Sequence, residues 1–216
     1  MRLSAAAFIL GAAALAANTA AAEQGHFKIG VTGGTLGVGP EIGYRANDII
    51  GLRGNATFLK VSPTFSSDDI DYDGDVKLKS GGFMLDLFPF GGGFHVSAGG
   101  RINGNRADLT ATPTADAVIN GVSYTPAEIG TLSSGANTKD FAPMLSVGYG
   151  GVMRGGLTIG FEAGALFQGS VTIEDIQSSG GLVDLIDLEA ERQSLQDDVN
   201  DYKVYPVLQL RLGYRF

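Results

Sequence analysis

The sequence predicts an all-β protein, an eight-stranded antiparallel up-and-down transmembrane β-barrel with one helical loop excursion near residues 183–202. Three observations carry that expectation: strand periodicity from Tyr205 to Phe216, the same alternation in seven earlier segments, and connections that alternate between tight and long. Successive side chains of a strand point to opposite faces. Pro206, Leu208, Leu210, Leu212, Tyr214 and Phe216 therefore share an oily face, while Val207, Gln209, Arg211, Gly213 and Arg215 share a mostly polar one. Water-soluble sandwiches alternate in the same way, so the remaining chain has to decide.

Residues 1–22 read as a secretory signal peptide. Met1-Arg2 is a short positive start, Leu3 to Ala17 is apolar and alanine-rich, and Ala20-Ala21-Ala22 offers small residues for cleavage before Glu23. An uncleaved anchor fits less well, because the stretch is mostly weakly apolar alanine ending in a small-residue site. Residues 23–216 have the size of one domain. With no cysteine, disulfide stapling is excluded. A net charge of -8 argues against nucleic-acid partners. No second apolar stretch is long enough for a spanning helix, so the remaining way to cross a membrane is a closed barrel, which leaves no backbone group unpaired in lipid.

Taken in order, Phe27, Ile29 and Val31 alternate with Lys28, Gly30 and Thr32 before a tight turn at Gly33-Gly34. Leu36, Val38, Pro40, Ile42 and Tyr44 then oppose Gly37, Gly39, Glu41, Gly43 and Arg45. After a turn at Ala46-Asn47-Asp48, Ile50, Leu52, Gly54, Ala56 and Phe58 oppose Arg53, Asn55 and Thr57. Ser66 to Asp75 is polar and acidic and reads as a loop. Phe83, Leu85 and Leu87 form the oily face of the next strand, and a glycine-rich turn over 89–93 leads to Phe94, Val96, Ala98, Gly100 and Ile102. Residues 106–140 are a long excursion containing a small hairpin around Asn120-Gly121. Alternation resumes over Phe141–Tyr149 and, after a turn at 151–156, over Leu157–Phe167. A second excursion, 170–203, precedes the strand that starts at Tyr205.

Short turns on one side and long loops on the other are the asymmetry of outer-membrane barrels, with the tight turns in the periplasm. Tyr44, Phe88, Phe90, Phe94, Tyr149, Tyr214 and Phe216 all lie beside the expected periplasmic ends, as an interfacial girdle requires. With these features and the closing Gly213-Tyr214-Arg215-Phe216, the chain resembles the small bacterial outer-membrane β-barrel superfamily of the OmpA transmembrane domain, OmpX and OmpW. The phrases Gly34-Thr35-Leu36-Gly37-Val38-Gly39, Leu85-Asp86-Leu87-Phe88-Pro89-Phe90 and Tyr205-Pro206-Val207 resemble a family of such barrels without assigned function. The resemblance implies an address in the cell outer membrane. It implies lipid and lipopolysaccharide as surroundings, and a barrel-assembly machinery that reads Tyr214 and Phe216 as a signal.

The alternation places Lys28, Arg45, Arg53, Arg101, Arg211 and Arg215 on the inward face with Glu41, Asp86 and Glu162. In a narrow eight-stranded interior these charges are expected to pair as a polar network that holds the barrel shut. Their cationic surplus is the one hint of an anion path. Asp69, Asp71, Asp73 and Asp75 match the opening of a calcium loop, but Ser80 stands where the closing glutamate belongs, so at most weak Ca²⁺ binding is expected and no other cofactor. His95-Val96-Ser97 is similar to the catalytic pair of outer-membrane lipid A deacylases, yet it falls beside a periplasmic turn, far from that substrate. Leu185, Leu188, Leu195, Val199 and Tyr202 form a helical stripe among acidic residues, either packed over the barrel mouth or docking a protein partner whose identity the sequence does not give. The expected function is a non-enzymatic barrel with a structural or loop-mediated interaction role. A narrow channel or small-molecule transport barrel comes second, and a lipid A-modifying enzyme third.

Overall fold

The computed structural model describes residues 27–216, and the expected signal peptide lies outside the described residues. From the start of the described chain come β1 (Phe27–Gly34), β2 (Gly37–Arg45), β3 (Ile50–Val61), β4 (Thr64–Ser67), β5 (Ile70–Leu87) and β6 (Phe94–Asn103). The first excursion holds β7 (Arg106–Pro113), β8 (Ala117–Ile119), β9 (Val122–Tyr124), α1 (Pro126–Ile129) and β10 (Leu132–Asn137). The chain continues through β11 (Phe141–Val152), β12 (Leu157–Leu166), β13 (Thr172–Ile173), β14 (Gln177–Ser178), α2 (Leu185–Val199) and β15 (Tyr205–Arg215).

All the expected long strands form, and their antiparallel pairing follows a ring. β1 pairs with β2, β2 with β3, β3 with β5 and β5 with β6. β6 pairs with β11, β11 with β12, β12 with β15, and β15 pairs back with β1. Hydrogen bonding thus returns to its start, which removes the exposed edges an open sheet would carry.

The tight turns are built by local chemistry. Asn47 Oδ1 accepts hydrogen bonds from the backbone N–H of Ile49 and Ile50, each at 2.8 Å, closing the β2–β3 turn. Thr35-Leu36, rather than Gly33-Gly34, make the two-residue β1–β2 connection, because the β1–β2 register runs out to Gly34 opposite Gly37. Leu36 consequently leaves the oily face expected for it and lies buried inside the ring.

Beyond the ring the sheet keeps growing on one side. The outer half of β5 pairs with β4 and β7, β7 with β10, and β10 with β13 and β14. The loop expected over Ser66–Asp75 is therefore corrected to a hairpin turning at Asp68-Asp69, both with positive φ. Its polar residues serve as cross-strand partners: Thr64 Oγ1 donates to Asp73 at 2.9 Å, and Ser66 Oγ donates to Asp71. The Asn120-Gly121 hairpin is present as β8–β9, with φ of 51° and 81° at its two turn residues. Ile119, Ile129, Val183 and Leu188 bury together, tying both excursions into a second small core. The helix is present, but its stripe is not buried as a unit: Leu188 is inside, whereas Leu185, Leu195 and Tyr202 are exposed.

Candidate functional site

Polarity in the ring is inverted relative to a water-soluble domain. Its outer face exposes large apolar side chains such as Phe27, Ile42, Phe83, Phe141, Leu210 and Leu212. Its interior buries Glu41, Arg53, Asp86, Arg101, Glu162 and Arg211. Strand alternation produces both faces at once, since each inward charge is flanked by outward apolar neighbours.

Arg53 on β3 is the centre of the interior. Its Nε and Nη2 donate to the two oxygens of Asp86 at 3.1 and 2.9 Å, and its Nη1 and Nη2 donate to Glu162 at 2.6 and 3.1 Å. Glu41 Oε2 lies 3.6 Å from Arg53 Nη1, while Lys28 Nζ donates to Glu41 Oε1 at 2.7 Å. Ser97 donates to Asp86 at 2.6 Å and Ser146 donates to Glu162, filling further acceptor sites. With Arg53 3% exposed and Glu41 and Glu162 no more than 2%, the fork geometry of the guanidinium compensates the loss of water.

Two layers lie farther from the tight turns. Arg101 donates to Asn55 Oδ1 at 2.7 Å, to Thr57 Oγ1 at 3.0 Å and to Ser80 Oγ at 2.8 Å. Beside it Leu36, Met84, Ala142, Met144, Leu166 and Val207 bury as one apolar cluster, against which Tyr205 packs. Sequence reasoning missed this layer. Its signal was present, because Met84, Met144 and Val207 are apolar residues at inward positions of otherwise polar faces.

At the tight-turn end a cavity is lined by Lys28, Arg45, Phe88, His95, Arg211 and Arg215 among others. Arg45 donates to the carbonyls of Asp48 and Gly91 at 2.8 Å each and stacks 3.9 Å from the Phe88 ring centre, latching two turns together. Phe88, expected in the outer girdle, is thereby turned inward. A Cβ added at Gly148 would stand 2.5 Å from His95 Nε2, so glycine is what leaves room for the imidazole.

The structure thus gathers the expected inward charges into one interior, with Arg45 and Arg215 at its mouth. Asp69, Asp71, Asp73 and Asp75 instead run along the β4–β5 hairpin, where Asp75 meets Lys60 at 3.1 Å. Among the described residues, no group of three or more acidic, His or Cys side chains is arranged to hold a metal ion. His95 and Ser97 both face inward but are committed elsewhere: His95 to Arg211 and Gly93, Ser97 to Asp86 and Arg53. Tyr214 and Phe216 stack edge-on with ring centres 5.0 Å apart, on the apolar outer face.

No protein-family model and no curated protein matches the chain. Its fold is similar to that of solved outer-membrane β-barrel proteins. One is Acinetobacter baumannii CarO2, at 21% identity, with a TM-score of 0.62 over 88% of this chain and 98% of that one. Another is Acinetobacter baumannii CarO, at 20% identity, with a TM-score of 0.60 over 89% and 98% of the two chains. At such identities the likeness concerns the fold alone.

Proposed function

We propose that this chain is a non-enzymatic outer-membrane β-barrel of the OmpA, OmpX and OmpW kind, exported by its signal peptide, with a closed lumen and an interaction role carried by its structured external loops. The observation that carries the reading is the inverted polarity of the ring, apolar outside and ion-paired inside. An apolar band of this extent would drive a soluble protein to aggregate, whereas lipid and lipopolysaccharide would cover it. The layered interior supports closure, because a solute would have to displace forked ion pairs and then an apolar layer. The two excursions, folded on a core of their own, support a recognition surface better than slack loops would. Tyr214 and Phe216 would present the signal that the assembly machinery reads.

Fractionation and in-cell cross-linking test both halves. The protein is expected in the outer-membrane fraction, and a photo-cross-linker at exposed Leu185 is expected to give a discrete protein adduct. Full recovery in the soluble periplasm would overturn the location, and a complete lack of adducts along α2 would overturn the interaction role.

A further inference from the structure

The chain holds two Asn-Gly pairs, and the fold treats them in opposite ways. At the end of β6, Asn103 is 5% exposed, and the Gly104 N–H donates to the Lys79 carbonyl at 2.7 Å. Asn120-Gly121 is instead the exposed turn between β8 and β9, and among the described residues the Gly121 N–H has no acceptor. This hairpin pairs at three positions and, among the described residues, joins no other strand, so it opens locally at small cost.

Asparagine followed by glycine is prone to an intramolecular reaction, because a neighbour without a side chain lets the two groups meet. Once its proton passes to hydroxide, the glycine nitrogen attacks the asparagine side-chain carbonyl carbon. An N–C bond forms, the amide leaves as ammonia and a cyclic succinimide remains. Water then opens the ring to an aspartyl or an isoaspartyl residue. The Gly104 nitrogen, held by Lys79, is withheld from this chemistry, whereas the Gly121 nitrogen is free for it.

The side chain that would change is one that fastens α2 to the hairpin. Asn120 Nδ2 donates to Asp187 Oδ1 at 3.0 Å, and Tyr124 Oη donates to the other oxygen. Arg192, the one base of α2, is forked to Glu189 and supplies no charge to Asp187. Turning the Asn120 amide into a carboxylate therefore removes a donor and sets two anions against each other. We propose that Asn120 is a site of spontaneous deamidation, and that its conversion releases the start of α2 from the β8–β9 hairpin. The reaction consumes only water, which reaches the exposed turn. It rests on how α2 docks and holds whether or not α2 recognises a partner.

The test compares folded protein with urea-unfolded protein, both held at mildly alkaline pH until the unfolded chain has converted at both asparagines. Peptide mass spectrometry reads the conversion. In the folded protein Asn120 is expected to become aspartyl and isoaspartyl while Asn103 keeps its amide. Hydrogen exchange of α2 is expected to quicken in step, with β1 and β15 still protected. An intact Asn120 amide in the folded protein would overturn the site, as would an Asn103 that converts equally fast. Substitution tests the consequence separately. Asn120→Gly tolerates the φ of 51° and removes only the side chain, so α2 exchange is expected to rise about tenfold, the scale of one hydrogen bond to a charged group. Asn120→Asp adds repulsion and is expected to exceed that rise. Combining it with Asp187→Asn sets one donor against one acceptor again, and protection is expected to return. If Asn120→Asp exchanges no faster than Asn120→Gly, or the double variant shows no recovery, the release of α2 by deamidation is wrong.

Discussion

Arg53 holds two carboxylates in hydrogen bonds and a third, Glu41, in an ion pair, and the asymmetry of removing either side follows from that arrangement. Glu162→Ala leaves Arg53 still forked to Asp86, and should destabilise the folded protein by about 3 kcal/mol, the low end for breaking a buried pair. Arg53→Ala leaves three buried carboxylates competing for Lys28, Arg211 and two serines, and should cost more, toward ~5 kcal/mol. Urea unfolding in lipid vesicles measures both. A water-filled interior would screen the loss, and an unchanged midpoint in Glu162→Ala would reveal it. The aspartates of the β4–β5 hairpin call for a different expectation. Asp71, Asp73 and Asp75 already take hydroxyl or ammonium partners, so calcium has to displace them. Calorimetry is expected to find no site tighter than about 10⁻³ M.

The elements divide into a ring that the sequence describes well and an outer layer that it describes poorly. Ring strands separate an apolar outer face from a polar interior, so period-two alternation survives along their whole length, as in Leu208–Tyr214 and Phe141–Tyr149. β7 and β10 lack that contrast: Arg106-Ala107-Asp108-Leu109-Thr110 carries charge, methyl and hydroxyl groups without a dominant oily face, because these strands lie beyond the ring and do not separate its outer face from its interior. The hairpin β8–β9 was legible because Asn-Gly demands positive φ. The burial of Leu188 alone was not, since a helical stripe does not tell which of its residues meets a partner. Leu188→Ala should therefore destabilise the second core by about 2–3 kcal/mol, exposing α2 amides to hydrogen exchange while β1 and β15 stay protected. Docking of α2 is also expected to depend on pH. Hydrogen bonds from Tyr124 Oη and Asn120 Nδ2 hold the Asp187 carboxyl below its ordinary value. A depressed carboxylate contributes stability that is full above its unfolded value and is lost as pH falls through the folded one. Protection of α2 should thus decline only below about pH 4, and Asp187→Asn should remove that acid dependence.

For the whole molecule, the decisive quantities are where the apolar surface stops and whether the interior is continuous. Phe27 and Tyr44 lie 4.8 Å apart between ring centres, and Phe90 and Phe94 6.0 Å apart, so aromatic pairs mark the tight-turn end as they would one membrane interface. Phe216 belongs to the same end, its backbone N–H donating to the Phe27 carbonyl at 2.9 Å. Phe216→Ala keeps that backbone bond, so a fall in outer-membrane yield with the purified protein's unfolding midpoint nearly unchanged would assign the residue to assembly rather than to stability. Continuity of the interior is tested by current. Starting at the tight turns, an ion meets a cationic pocket, then the Arg53 network, then Arg101 among hydroxyls beside the apolar layer of Met84, Met144, Leu166 and Val207. An anion that enters the first finds no exit through the last, because the apolar layer offers it no replacement for water. The wild-type protein in a planar bilayer is therefore expected to carry no steady current. Replacing Met84 and Met144 together by serine would make the apolar layer wettable yet leave the ion pairs in place, so conductance should stay closed until Glu162→Ala is added. Steady anion-selective current through the wild type would overturn the closed lumen and make the cationic pocket the mouth of a pore.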